Sequence, residues 1–256
     1  MRLVDVHCHL ESDEFADGPA SVVQAAKEAG IVKLITASIV PAQWPRSLEL
    51  AAQFPEVECA LGIHPWYIKP DHEQSLKQLA AARDRGAVAI GEIGLDRRVD
   101  HPSLDIQLKF FEVQLDLARQ LDLPVIIHCR AAFNELIEVL KRSGAPKAGG
   151  ILHNFSGSIQ LADELRKFGL VFSFGGVLTY RNSRKKRDLL QKIYPSALVL
   201  ETDSPDIPPV EAPGRPNVPA NIVYNLRAAA EILGKTDDEV AETTTKVALS
   251  ILNLNA

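Results

Sequence analysis

Imidazole and carboxylate side chains recur at the ends of short apolar runs along this 256-residue chain. Six residues hold such positions: His7, His9, Glu92, His128, His153 and Asp203. Imidazole nitrogen and carboxylate oxygen are the ligands expected for catalytic zinc and, with more oxygen, for manganese or magnesium. If the apolar runs are strands of one barrel, all their carboxyl ends open on one rim. The pattern therefore predicts a metal centre at that rim, with room for two divalent cations.

Each of these residues has an ordinary alternative when it is taken singly. A histidine at a strand end can be satisfied by hydrogen bonds in the core, and a carboxylate just past a strand is often a helix N-cap or a loop residue. His7 and His9 are two apart on an extended run, so they point to the same side. A fifth histidine, His64, ends another run. Burying so many ionisable groups together without a cation would be costly, which favours the metal centre.

The elements that must position these residues alternate along the chain. Apolar runs predict eight strands: Leu3–Val6, Ile31–Ala37, Val57–Ile63, Ala87–Ile90, Pro124–Ile127, Gly150–Leu152, Leu170–Phe174 and Ala197–Leu200. Amphipathic segments predict the helices: Pro19–Gly30, Pro41–Phe54, Glu73–Arg85, Leu104–Leu121, Ala131–Arg142, Ser158–Phe168, Asn182–Ile193 and a longer helical region from Pro219 to Leu254.

The strands are continuous apolar runs without strict alternation, as in a parallel sheet that is covered on both faces. Eight of them in a βα repeat predict an α/β fold of the (β/α)8 TIM barrel type, as one domain over residues 1–256. An open, doubly wound sheet is the alternative. It is disfavoured because no Gly-x-Gly-x-x-Gly follows the first strand.

Composition narrows the class of protein further. The chain has 46% apolar and 24% charged residues, which is typical of a globular enzyme. The first residues lack the apolar stretch of a signal peptide, and three cysteines in a chain of this size indicate free thiols, so we expect a cytoplasmic protein without membrane segments. The formal charge of −5 argues against broad coating of a nucleic-acid duplex but allows a grip on one strand end.

Five segments, spread over nearly the whole chain, resemble the TatD family of metal-dependent deoxyribonucleases within the amidohydrolase superfamily. The resemblance rests on His7-x-His9, Gly91-Glu92-Ile93-Gly94-Leu95-Asp96, Leu123-Pro124-Val125-Ile126-Ile127-His128-x-Arg130, His153-x-Phe155-Ser156-Gly157 and Glu201-Thr202-Asp203-Ser204-Pro205. The YjjV-like branch of the family is the most similar, from Gly175-Gly176, Thr179-Tyr180-Arg181 and Arg215-Pro216-Asn217-x-Pro219.

The resemblance implies a (β/α)8 barrel with two bound cations. One would be held by His7, His9 and Asp203, and a second by His128 and His153. Glu92 would bridge them, where dihydroorotase-like and phosphotriesterase-like relatives typically use a carboxylated lysine. The chain departs from many family members at Arg97 and Arg98, in the loop up to His101, and at Asp206.

A metal pair predicts hydrolysis by an activated water. We expect Asp203 to accept the proton of that water and Glu92 to position the pair. Arg130 and His64 are candidates to bind substrate phosphate, with a salt bridge to a carboxylate such as Glu201 and simple packing as their respective alternatives. Trp66 and Tyr67 could stack a base near the rim.

A basic run could guide nucleic acid towards the rim, although a solvated helix face is the favoured interpretation. It consists of Arg181, Arg184, Lys185, Lys186, Arg187 and Lys192.

Three functions follow from this reasoning. The first is a 3'-directed exonuclease on single-stranded DNA or RNA, acting as a monomer or a weak oligomer. The second is a hydrolase of another bond, such as the ester of D-aminoacyl-tRNA or a small phosphoester. The third is a binding module with a structural metal, which is disfavoured because six rim ligands would leave open coordination positions. The sequence does not choose among zinc, manganese and magnesium.

Overall fold

The structure, a computed structural model, describes residues 1–180, 184–213 and 216–255. Eight parallel strands lie side by side in chain order. They are β1 (Leu3–Cys8), β2 (Ile31–Ala37), β3 (Val57–Leu61), β4 (Ala89–Asp96), β5 (Val125–Arg130), β6 (Gly150–Leu152), β7 (Leu170–Phe174) and β8 (Leu198–Leu200). Every strand is predominantly buried, as continuous apolar runs require when helices cover the outer face of a sheet.

The first and last strands meet, so the sheet closes on itself. The backbone N–H of Asp203, just after β8, donates to the carbonyl of His7 in β1 at 2.9 Å. Across the same seam the Asp5 carboxylate accepts from the backbone N–H of Thr202 at 3.0 Å. The predicted (β/α)8 TIM barrel is therefore confirmed, and an open sheet is excluded.

The helices between the strands form the outer layer. They are α1 (Gly18–Glu28), α2 (Trp44–Gln53), α3 (His72–Leu79), α4 (Leu104–Leu121), α5 (Phe133–Ser143), α6 (Ile159–Arg166), α7 (Arg184–Ile193), α8 (Ile222–Leu233) and α9 (Asp237–Ile251). The long C-terminal helical region is divided because Gly234 ends α8 with a φ of 64°. Thr236 and Glu239 then begin α9 with a capping box.

The fourth strand is longer than the sequence predicted. The expected strand ended at Ile90, but β4 continues to Asp96 and pairs with β5 up to Arg130. Glu92 therefore lies within the strand and does not follow it. Gly94 makes this pairing possible: its φ is 148°, and a Cβ there would overlap the carbonyl oxygen of His128.

The core is continuous from the barrel interior to the inner faces of the helices. Among its fully buried side chains are Trp44, Phe111, Phe172 and Phe174. Burying one such aromatic side chain stabilises the fold by about 1.5–3 kcal/mol. The rigid apolar wall supports the polar side chains at the carboxyl ends of the strands. Among the helices of the described residues, none has the length and apolar character needed to cross a bilayer.

Candidate metal centre

The six predicted ligands converge at the carboxyl-end rim, with Glu92 at the middle. The two oxygens of the Glu92 carboxylate face different groups of imidazoles. Oε2 lies 3.3 Å from His7 Nε2 and 3.9 Å from His9 Nε2. Oε1 lies 2.9 Å from His153 Nε2 and 3.3 Å from His128 Nδ1. Since Glu92 is only 3% exposed, its carboxylate depends on these neighbours for compensation.

We call His7, His9 and Asp203 the Asp203 half of the centre. The Asp203 carboxylate oxygen Oδ1 lies 3.4 Å from His7 Nε2 and 3.5 Å from His9 Nε2. His9 Nδ1 is 2.8 Å from the carbonyl oxygen of Ala37, and a carbonyl can only accept. Nδ1 of His9 therefore carries the hydrogen, which leaves Nε2 with a lone pair directed at the centre.

We call His64, His128 and His153 the His128 half. His128 Nδ1 is 3.2 Å from His153 Nε2, and its other ring nitrogen, Nε2, is 3.1 Å from the Asp96 carboxylate. His64 Nε2 also reaches this half, at 3.3 Å from Glu92 Oε1. Three imidazole nitrogens thus face one carboxylate oxygen.

His64 differs from His128 in that the ring nitrogen facing Glu92 is the one that carries the hydrogen. Its Nδ1 accepts from the backbone N–H of Trp66 at 3.2 Å, so Nε2 bears the hydrogen and donates towards Glu92. Burial lowers the pKa of His64 to about 4, against the opposing effect of Glu92, and keeps the ring neutral. In this tautomer His64 is a hydrogen-bond donor at the rim and has no lone pair for a cation there.

The donor set fits divalent cations. Both ring nitrogens of His7 and the Nδ1 of His153 are buried without a hydrogen-bond partner in the described residues. Buried polar atoms are normally paired, and the unpaired His7 Nε2 lies beside the Glu92 and Asp203 carboxylates, an arrangement that a divalent cation would satisfy. Within the described part of the chain, ligand atoms within 4.8 Å of one another form three overlapping groups: His7–His153–Asp203, His7–His9–Glu92 and His64–Glu92–His128.

The electrostatics of the cluster favour positive charge. Burial raises the pKa of the Glu92 carboxyl, but His64, His153 and His7 outweigh burial and hold that pKa well below its usual range. Burial lowers the pKa of His7, but Glu92 and Asp203 reverse this effect and raise that pKa well above its usual value. The ionised carboxylates thus favour a proton on His7, and the same field would attract cations.

A buried polar network behind the Asp203 half was not predicted. The Asp5 carboxylate is fully buried and accepts from the backbone of His7 at 3.3 Å and from the Thr202 hydroxyl at 2.5 Å. Asn217 donates to the carbonyls of Thr202 at 2.7 Å and of Asp206 at 2.9 Å. The only sequence signal for Asp5 is its position two residues before His7, on the same side of β1.

Glu201 supports the rim from beneath. Its carboxylate accepts from the backbone N–H of Asn154 at 2.9 Å and from the Ser173 hydroxyl, and it lies 3.9 Å from His153 Nδ1. Burial raises the pKa of Glu201 to about 8. Glu201 therefore fixes the loop after β6, on which His153 lies.

The other residues predicted to contact substrate lie on exposed parts of the structure or outside the described residues. Arg130 ends β5 and is exposed, so its role in binding phosphate stays a prediction. In the basic run, Lys185 and Arg187 are exposed and Lys192 pairs with Asp163 at 3.8 Å, which fits a solvated helix face. Arg181, the side chain of Arg184 and Arg215 of the Arg215-Pro216-Asn217-x-Pro219 motif lie outside the described residues.

The fold and the site are those of a metal-dependent hydrolase built on a (β/α)8 barrel. The model of the family described as TatD related DNase matches residues 4–253. The chain belongs to this family.

Relatives share nearly the full length of the chain. YjjV of Escherichia coli (strain K12), named an uncharacterized metal-dependent hydrolase, is 34% identical over 99% of this chain and 98% of its own. YabD of Bacillus subtilis (strain 168), with the same description, is 32% identical over 99% and 100%. The crystal structure of Escherichia coli YjjV, described as a TatD homolog, superposes with a TM-score of 0.91 over 99% of this chain and 98% of that one. These comparisons confirm the family and the metal-dependent class that the sequence motifs predicted.

Proposed function

We propose that this protein hydrolyses phosphodiester bonds at the ends of single-stranded nucleic acid, using two divalent cations. The proposal rests mainly on one observation: the two oxygens of Glu92 face different imidazoles, Oε2 those of His7 and His9 and Oε1 those of His128 and His153. A carboxylate with one oxygen towards each set of ligands could hold two cations close together, and paired cations are what a two-metal hydrolase uses. The family description supports the nucleic-acid substrate, since it names a DNase.

The ligands divide between the two halves. His7, His9 and Asp203 would hold one cation, His128 and His153 the other, and Glu92 would bridge them. The available atoms support this division: His9 presents Nε2, because its Nδ1 donates to Ala37, and His153 presents Nε2 at 2.9 Å from Glu92. Zinc, manganese and magnesium all accept such ligands, although magnesium prefers more oxygen.

When bound, the cations would supply a water of lowered pKa and neutralise charge on the phosphoryl oxygens. Asp203 would accept the proton of that water. Burial raises its pKa, but the nearby imidazoles of His7 and His9 outweigh burial and lower that pKa, so the carboxylate is ionised. It is 8% exposed and lies just after β8, at the end of the barrel where the candidate ligands meet.

His64 would bind the substrate by donating its Nε2 hydrogen to a phosphate oxygen. The ring is neutral and its Nε2 hydrogen already points into the centre at Glu92, and cations held by Glu92 would replace the bond that this hydrogen gives up. Arg130, at the exposed end of β5, could contact a neighbouring phosphate through its guanidinium.

The decisive experiment strips the protein of metal, reconstitutes it separately with each of the three cations, and assays 5'- and 3'-labelled single-stranded oligonucleotides. We expect stepwise loss of terminal nucleotides that depends on added metal and slows by about 100-fold or more in Asp203→Asn. The matched control is Asp206→Asn, which removes an exposed charge three residues away. D-aminoacyl-tRNA is assayed in parallel, and cleavage of that ester without any nucleotide release would overturn the proposal.

A further inference from the structure

Asp96, at the end of β4, accepts hydrogen bonds from two parts of the rim. Its Oδ2 lies 3.1 Å from His128 Nε2 and 2.7 Å from the indole nitrogen of Trp66. Its Oδ1 accepts from the backbone N–H of Arg98 at 2.8 Å. Although Asp96 is fully buried, its charge is therefore met by three donors. A single oxygen joins a candidate metal ligand to an exposed aromatic side chain.

The position of Asp96 is fixed from behind by α4. Gln107, which is fully buried, accepts from the backbone N–H of Asp96 at 2.7 Å and donates to its carbonyl at 3.0 Å. The same amide also donates to the carbonyl of Pro102 at 2.9 Å. Because Gln107 bonds to both the N–H and the carbonyl of Asp96, the Asp96 carboxylate is held in a fixed position for the groups that it binds.

The bond to Asp96 decides which nitrogen His128 presents to the centre. A carboxylate only accepts, so Nε2 of His128 carries the hydrogen. Nδ1 is then left with a lone pair 3.3 Å from Glu92 Oε1. A lone pair facing a carboxylate oxygen is satisfied by a cation between them, and such second partners commonly orient metal-binding imidazoles.

Trp66 is held with one part of its ring in solvent. It is 41% exposed, and its neighbour Tyr67 is 40% exposed. Its ring meets His64 edge-on, with centroids 5.0 Å apart, and His128 at 5.7 Å. Exposed aromatic rings beside a nuclease centre can stack nucleobases. A ring already fixed by a hydrogen bond loses less conformational entropy on binding.

We propose that Asp96 is a positioning residue that orients both His128 for cation binding and the Trp66 indole as a stacking surface for a substrate base. The stacking part rests on the proposed function, whereas the orientation of His128 does not. Asp96 Oδ2 accepts from both side chains, so a cation bound at His128 and a base stacked on Trp66 would each affect the other through this oxygen.

The first test uses metal alone. We titrate stripped protein with Zn²⁺ against a chelating dye and expect Asp96→Asn to weaken one of the binding events about 10- to 100-fold, the range for loss of such an orienting partner. Asp105→Asn, which removes an exposed charge in the first turn of α4, should bind like wild type. Unchanged Zn²⁺ affinity in a folded Asp96→Asn protein would overturn the orientation of His128.

A spectroscopic test uses the wild-type chain and does not require Asp96→Asn to fold. The protein has two tryptophans, and Trp44 is 1% exposed with its indole bonded to the carbonyl of Gly62 at 3.0 Å. The difference between wild-type and Trp66→Phe emission therefore reports Trp66. Zn²⁺ should shift this difference signal, because it strengthens the His128–Asp96 bond. A signal that is unaffected by Zn²⁺, although Zn²⁺ binds, would show that the two groups are not linked.

The stacking part is tested with oligothymidylate and two substitutions of Trp66. Trp66→Leu removes the ring and should raise KM about 5- to 150-fold with little change in kcat, the equivalent of 1–3 kcal/mol per stacked base. Trp66→Phe keeps a ring and should fall between Trp66→Leu and wild type. Equal KM in all three proteins would overturn stacking while leaving the nuclease proposal intact. A protein that binds Zn²⁺ but neither binds nor cleaves oligothymidylate would refute both the nuclease proposal and the base surface.

Discussion

The two halves of the centre differ in how their ligands are compensated. In the Asp203 half, the imidazoles of His7 and His9 each face two carboxylates, Glu92 and Asp203. In the His128 half, the imidazoles share one oxygen of Glu92, and the second carboxylate, Asp96, lies behind His128. Both halves therefore face Glu92 directly, but a second carboxylate faces the centre only in the Asp203 half, whereas in the His128 half it lies on the far side of an imidazole.

The barrel builds the two halves from different parts of the sheet. The Asp203 half lies at the closure of the barrel, where the loop after β8 meets β1 through the bond from Asp203 to His7. The His128 half lies at the ends of β3, β5 and β6, and the side chain of His128 is 13% exposed. Since affinity for a cation rises with direct ligand charge, we expect the Asp203 half to bind its metal more tightly.

The largest effect should come from Glu92→Gln, which alters both halves at once. The amide keeps the shape of the side chain but leaves only one ligand oxygen, so it cannot bridge. We expect kcat to fall by about 1,000-fold or more, because metal stabilisation of the transition state is worth several kcal/mol. Metal analysis of the purified protein should show fewer bound ions than in wild type. Two retained ions with normal turnover would disprove the bridge.

Asp203→Asn should affect only one half of the centre, so the bound metal should fall less than in Glu92→Gln. Loss of a direct carboxylate should weaken the Asp203 half, while the His128 half keeps its ligands. We expect turnover to fall about 100- to 1,000-fold, as for other single groups that stabilise transition-state charge. Zinc titration of this variant should lose its tight phase and keep the weak one. Loss of the weak phase instead would reverse the ranking of the two halves.

Gly94→Ala tests the backbone behind the His128 half. A Cβ at this position would overlap the carbonyl oxygen of His128, so the β4–β5 pairing must move. We expect a loss of about 3 kcal/mol in the free energy of unfolding, at the upper end for overpacking, measured by urea denaturation. The control is Gly86→Ala, where φ is 98° but nothing lies within 4 Å of the added Cβ. Equal losses in the two variants would show that backbone strain alone is responsible.

The ligands could be predicted from the sequence because each follows an apolar run, and a parallel barrel brings such positions to one rim. The extent of β4 could not be predicted, because Gly91, Glu92 and Gly94 interrupt the apolar pattern while pairing with β5 preserves the strand. Nor could the links through Asp5 and Asp96 be predicted. Asp5 meets Thr202 from 197 residues away, and the sequence carries no mark of that contact.

His64→Leu should have the smallest effect, and it shows whether the His128 half has two imidazole ligands or three. His64 presents a hydrogen towards Glu92, since Nδ1 already accepts from the backbone of Trp66. If it binds substrate by that hydrogen, KM should rise roughly tenfold, the equivalent of about 1.5 kcal/mol for a bond to a charged group. Metal content should then equal that of wild type, and His64→Gln, which restores a donor, should recover part of the loss. A fall in bound metal with unchanged KM would instead make His64 a ligand, in the opposite tautomer from the one that its bond to Trp66 indicates.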